Sequence, residues 1–180
     1  MTTVHLFLSA LLAVSQQPPT PDHPLLLVDE EVFRGRVTRI LASNVVEVWG
    51  QQRTFRVRLR GVGGLPEGHP LRAEAVELLS RLLESMVELR AVPDPESSEP
   101  DELLATILVH GANASQKLLA SGLAVYCPPP GGDRELEAAE SSAKQQRRGL
   151  WSASAPLLEG GGDPCGRQPP VGRRSGEVGR

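Results

Sequence analysis

Residues 56–68, RVRLRGVGGLPEG, gather the side chains of this sequence best suited to chemistry. Arg56, Arg58 and Arg60 alternate, so a strand would project all three guanidinium groups from one face. Such a row can hold phosphates, because a guanidinium offers paired N–H donors to phosphate oxygens. The row runs into a Gly-rich turn that ends on Pro66-Glu67. A hard cation held in that turn would need carboxylate oxygens. None precedes Glu67, so the row stands beside a turn that lacks its acid.

The other reactive side chains are scattered. Cys127 and Cys165 have no metal-ligand spacing, which argues against zinc. Two unpaired thiols are expected in preference to a disulfide, since Cys165 falls in a tail that reads as unstructured. His69 and His110 have no Cys, His or acid at ligand spacing and read as surface or turn histidines. Trp49 and Trp151 are candidate stacking residues, with Trp151 better suited to packing a final helix.

The chain has 180 residues, 39% hydrophobic and 23% charged, with a net charge of −3. That is the profile of one globular domain with tails, and its overall charge does not announce a nucleic-acid partner. Any such contact must rest on a local patch. Between Arg34 and Arg60 there are seven arginines against the single acid Glu47. Aromatics are only 3%, a poor supply for base stacking. At the N-terminus the apolar run Val4 to Val14 fits a signal-peptide core and is too short to span a bilayer. Ala13-Val14-Ser15 offers a small-x-small cleavage site, although no Lys or Arg precedes the run. A secreted or periplasmic protein is expected, with a cytoplasmic one as the alternative.

Residues 1–15 are thus a signal-like segment and 16–30 a Pro-rich linker. Val32 to Leu41 reads as a strand, followed by a turn at Ala42-Ser43 and a second strand in which Val46 and Val48 share one side. Gly50-Gln51-Gln52 makes the next turn. In the third strand Phe55, Val57 and Leu59 face inward, opposite the arginines. Residues 69–86 form a helix with Leu71, Ala75, Leu78, Leu79, Leu82 and Leu83 along one face. Val87 to Val92 is a strand, 93–102 an acidic, Pro-broken loop, and LLATILVHG a buried strand ending at Gly111. A short helix follows, with Asn113 or Ser115 as cap and Gly122 as stop. A last amphipathic helix runs from Asp133 to Trp151, its acids early and its arginines late. Residues 154–180 read as a disordered tail. This order suits a small closed barrel with helices outside and is compatible with an OB-type barrel without requiring one.

RVTRILASNVVEV, VRLRGVGGLPEG, LLATILVHGANASQKLLASGLAVY and AESSAKQQRRGLWS together resemble the staphylococcal-nuclease-like (thermonuclease-like) family over roughly Val32 to Ser152, about two-thirds of the chain. The last two stretches are the more specific. The resemblance implies an α+β fold, mainly β: a five-stranded OB-type Greek-key barrel with three packed helices. It also implies Ca²⁺-dependent phosphodiester hydrolysis, with the ion on two acidic side chains, a glutamate beside the attacking water and two arginines on the phosphate.

Matched to that pattern, Arg58 and Glu67 keep the family's first arginine and its glutamate, with one residue inserted before Pro66. The first metal acid falls on Asn44, the second on Gly63 (or on Gly61 if Arg56 is taken as the first arginine), and the second arginine on Glu102. Losing even one donor to developing charge typically costs about 10²–10³ in rate. A catalytically degenerate member is therefore expected, with no cofactor and no metal residues. Its role would be to bind single-stranded nucleic acid or a protein. For the arginine row as a whole, pairing with acids of the 93–102 loop is favoured, and phosphate contact is kept for Arg58. Two alternatives stay open: a residual or remodelled nuclease using Glu67, Arg58, calcium and an acid from the 94–102 loop, and an exported structural or interaction protein.

Overall fold

A computed structural model describes residues 30–94, 97, 101–153 and 164–165. The signal-like segment, most of the linker and most of the tail lie outside these residues. Among the described residues no helix is long and apolar enough to cross a membrane.

Three consecutive strands, β1 (Glu31–Ala42), β2 (Val45–Gly50) and β3 (Arg53–Leu59), form an antiparallel meander. The first turn is Ser43-Asn44, one residue later than expected. The second uses Gln51 and Gln52, both at positive φ (49° and 63°), the geometry that suits a two-residue hairpin between twisted strands. A short β4 (Val62–Gly63) leads through an irregular loop to helix α1 (Arg72–Leu82). β5 (Met86–Pro93) pairs with β1, and β6 (Glu102–Val109) pairs with β5. β6 also runs parallel to β3, which closes the five long strands into a barrel.

β7 (Ala112–Asn113) adds a short hairpin on β6, and helix α2 (Ala114–Ala120) starts directly from it. Of the two cap candidates Asn113 is the cap, its side chain accepting from the Ser115 N–H. The Ser115 hydroxyl instead donates to the Arg60 carbonyl at 2.9 Å and so ties α2 to the end of β3. Gly122, at φ 69°, ends the helix as expected. β8 (Val125–Tyr126) pairs with β4. Helix α3 (Arg134–Gln145) is capped by Asp133, which accepts from two backbone N–H groups. It does not reach Trp151. Arg147 takes φ 52°, and Gly149–Trp151 forms a separate 3-10 turn. Trp151 nevertheless packs back on α3, with the Lys144 ammonium 4.5 Å over its ring.

The alternation expected for β2 and β3 is what fills the barrel. Val46, Val48, Phe55, Val57 and Leu59 are buried and meet Leu89 and Ile107 from β5 and β6. Leu79 of α1 with Leu118 and Leu119 of α2 joins the same core. Each such side chain contributes about 1.5–3 kcal/mol relative to exposure. The fold therefore rests on the inward faces and leaves the outward faces of β1, β2 and β3 open for function.

Candidate functional site

The outward ends of β2, β3 and β6 frame a cleft of about 220 Å³ lined by Val45, Arg56, Arg58, Asp94, Ser97 and Glu102. Strand register explains the assembly. Val45 lies opposite Arg58 and Glu47 opposite Arg56 on the antiparallel side, while the parallel partner of Arg56 on β6 is Glu102. The chain turns between β5 and β6 with the Asp94 N–H on the Glu102 carbonyl at 3.0 Å. That bond brings both carboxylates to the arginine row.

Each guanidinium of the row meets a carboxylate. Arg58 grips Asp94 with two parallel bonds, Nε to Oδ2 at 2.7 Å and Nη2 to Oδ1 at 2.6 Å. The Asp94 side chain is 6% exposed and that of Arg58 25%, so this pair is largely withdrawn from water. Arg56 Nε is 3.0 Å from Glu102 Oε1, and Arg60 Nη1 is 3.4 Å from Glu30 Oε1. Arg53 likewise meets Asp101 at 3.0 Å. The pairing of the arginine row with the acidic loop is thus present in the structure, and it includes Arg58. Asp94 is the residue that sequence reasoning did not single out. Its only signal was membership of the acidic 93–102 stretch.

Asn44 sits at the tip of the β1–β2 turn and holds β4. Its side-chain amide donates to the Val62 carbonyl at 3.4 Å, its backbone carbonyl accepts from the Leu59 N–H, and Ser43 Oγ accepts from the Leu65 N–H at 2.7 Å. Gly64 lies so close that a Cβ there would collide with Asn44 Oδ1. Gly63 is covered from the other side. A Cβ at Gly63 would lie 2.7 Å from the Pro164 carbonyl carbon and 2.9 Å from Cys127 Sγ, and closer still to the Pro164 oxygen.

Pro164 is held there by a disulfide between Cys127 and Cys165, with Cα atoms 5.5 Å apart. The expectation of two unpaired thiols is therefore corrected. It discounted Cys165 because of its flanking composition, whereas the Cys127 N–H on the Gly61 carbonyl places Cys127 beside β4, where the returning segment meets it. Glu67 is exposed in the loop between β4 and α1 and is not among the residues lining the cleft.

A model of the family described as staphylococcal nuclease homologue matches residues 56–153, more than half of the chain. The chain belongs to that family. It is also similar to two proteins named "Uncharacterized endonuclease", one from Escherichia coli O157:H7 and one from Escherichia coli. Each is 24% identical over 135 residues, covering 74% of this chain and 85% of the relative.

Membership of the staphylococcal nuclease homologue family brings a calcium ion into question, and the donor set does not fit one. Position 44 offers an uncharged amide already bonded to β4, position 63 offers no side chain, and the Asp94 carboxylate is engaged by Arg58. Among the described residues no three His, Cys, Asp or Glu side chains converge as a metal site. His69 is buried in the turn before α1, where its Nδ1 accepts from the Leu71 N–H, and His110 lies in the β6–β7 turn.

Proposed function

We propose that this protein is a nuclease-fold module that binds nucleic acid without hydrolysing it, a protein partner being the second choice. The observation that carries this reading is the Arg58–Asp94 pair. A phosphate entering the cleft would have to displace a carboxylate held by two short bonds in a poorly hydrated place, and Glu102 faces it from the neighbouring strand. With carboxylates on the arginines and none at positions 44 and 63, the charge that develops on a phosphoryl group in transit has no stabilising partner.

The name borne by the Escherichia coli relatives favours a second reading, a remodelled nuclease using Glu67 and Arg58 with calcium. Release of acid-soluble nucleotides from single-stranded DNA and RNA separates the two, measured with Ca²⁺ or EDTA beside a Glu67→Gln variant. No release in any condition is expected. Ca²⁺-dependent release by the wild type, abolished in the variant, would establish the nuclease reading instead.

A further inference from the structure

The arginines of β3 are occupied, and those of β1 are not. Arg34, Arg36 and Arg39 are exposed and form no ion pair among the described residues. They also share a face. The buried Phe33 and Gly35 alternate with the exposed Arg34 and Arg36. The register shift between Val37 and Arg39 leaves Thr38 as an extra residue, which returns Arg39 to the outward side. Arg39 then pairs across β2 with the outward Glu47, and Arg36 with the outward Trp49. On the other flank Arg36 lies opposite Met86 of β5. Trp49 and Met86, each 52% exposed, thus bracket Arg36 in one row, with about 5 Å between neighbouring strands.

We infer that this outward face of β1, and not the Arg56–Arg58 cleft, is where the protein takes up the backbone of a single-stranded nucleic acid. The inference rests on the binding role proposed above. Charge complementarity selects the occupant. Three arginines that form no ion pair among the described residues lie in line, against Glu47, whose carboxylate already accepts from Thr38 Oγ1 at 2.7 Å, and Glu88, which lies across from Arg34 and is paired with Arg90. Alternate positions such as Arg34 and Arg36 put their Cα atoms about 7 Å apart, a step that an extended single strand can follow with successive phosphates. Trp49 offers an indole face to an unstacked base beside that path. An anionic lipid surface is less well served. Glu88, paired with Arg90 at 3.5 Å, lies directly across from Arg34 and would have to give up its water for the face to enter a membrane.

The test uses the full chain, fluorescein-labelled oligothymidylate and anisotropy over a range of salt. The triple variant Arg34→Gln/Arg36→Gln/Arg39→Gln is compared with Arg81→Gln/Lys117→Gln/Arg134→Gln, which removes equal charge from the helices. The β1 variant is expected to lose about tenfold or more in affinity and to flatten the slope of log K against log salt by about 2, near 0.7 per lost phosphate contact. The helix variant should keep both. Oligonucleotide should quench indole fluorescence in the wild type and fail to do so in Trp49→Phe. Equal losses in the two triple variants would overturn the inference, as would wild-type protein that ignores oligonucleotide, whether or not it sediments with phosphatidylserine–phosphatidylcholine vesicles. Equal losses would sink the β1 assignment alone, no binding by the wild type would sink the proposed binding role with it, and acid-soluble release in the same tubes bears on the proposed lack of hydrolysis alone.

Discussion

Replacing Asp94 by Asn keeps the volume of the side chain and removes its charge and one acceptor. Arg58 would then lose one of its two bonds to position 94 while three-quarters of its side chain stays covered. Hydrogen bonds to charged groups contribute about 1.5–3 kcal/mol, and breaking a fully buried pair costs about 3–5 kcal/mol. Because Arg58 retains some access to water, the expected loss is about 2–3 kcal/mol, a fall in Tm of roughly 8–12 °C for a domain of this size. Guanidinium chloride unfolding with the disulfide intact measures it. Two further comparisons make the origin specific. Arg58→Met/Asp94→Leu should be more stable than either Arg58→Met or Asp94→Leu, since it leaves no orphaned charge. The Asp94→Asn deficit should also shrink in phosphate buffer, because a guanidinium that no longer faces a carboxylate at position 94 can bind an anion in the native state. A change below about 0.5 kcal/mol in Asp94→Asn would refute the reasoning. The pair would then be an ordinary surface contact, and a phosphate could enter the cleft at little cost.

Other perturbations test other parts of the structure. Cys165→Ser, or reduction of the wild type, opens a loop of 38 residues and should lower stability by up to about 4 kcal/mol on chain entropy, read as a shift of the denaturation midpoint with the barrel's circular dichroism retained. Gly35→Ala places a Cβ 2.5 Å from Val48 Cγ1 and 3.1 Å from the Trp49 carbonyl, and should cost about 1–3 kcal/mol in the same assay. An unchanged midpoint would mean that β1 and β2 are less tightly packed at that point than their register indicates.

The inward residues were the legible part of the fold. Val46, Val48, Phe55, Val57 and Leu59 follow from a two-residue period, and Ala75 and Leu79 from a helical one, because burial acts on each side chain through its own position in the pattern. The closing pair of the barrel was not readable from periodicity. β3 and β6 run parallel across some fifty residues of chain, so the element order suited a closed barrel without naming the pair that closes it. The same distance problem governs the site. Alternation placed Arg56, Arg58 and Arg60 on one face, and the charge of the 93–102 stretch pointed to their partners, but the choice of Asp94 for Arg58 depends on how β5 turns into β6. The disulfide ranks second to unpaired thiols in the sequence for a related reason. Cys165 was weighed by its Gly- and Pro-rich neighbours, while its pairing is decided by where Cys127 sits beside β4. The last helix is shorter than its sequence suggests because the amphipathic pattern continues past Gln145, whereas the backbone turns at Arg147 and Gly149.

The cover over Gly63 also restricts the substitutions open to this lineage. A carboxylate at position 63 cannot be accepted while the Pro164 carbonyl occupies the space its Cβ would need, and a side chain at position 64 meets Asn44 in the same way. Placing a carboxylate at 63 would require the segment around Cys165 to be released first, at the expense of the loop it closes. The intermediate in that order of changes loses the staple before it gains a ligand. Position 63 is therefore held as glycine by the architecture around it.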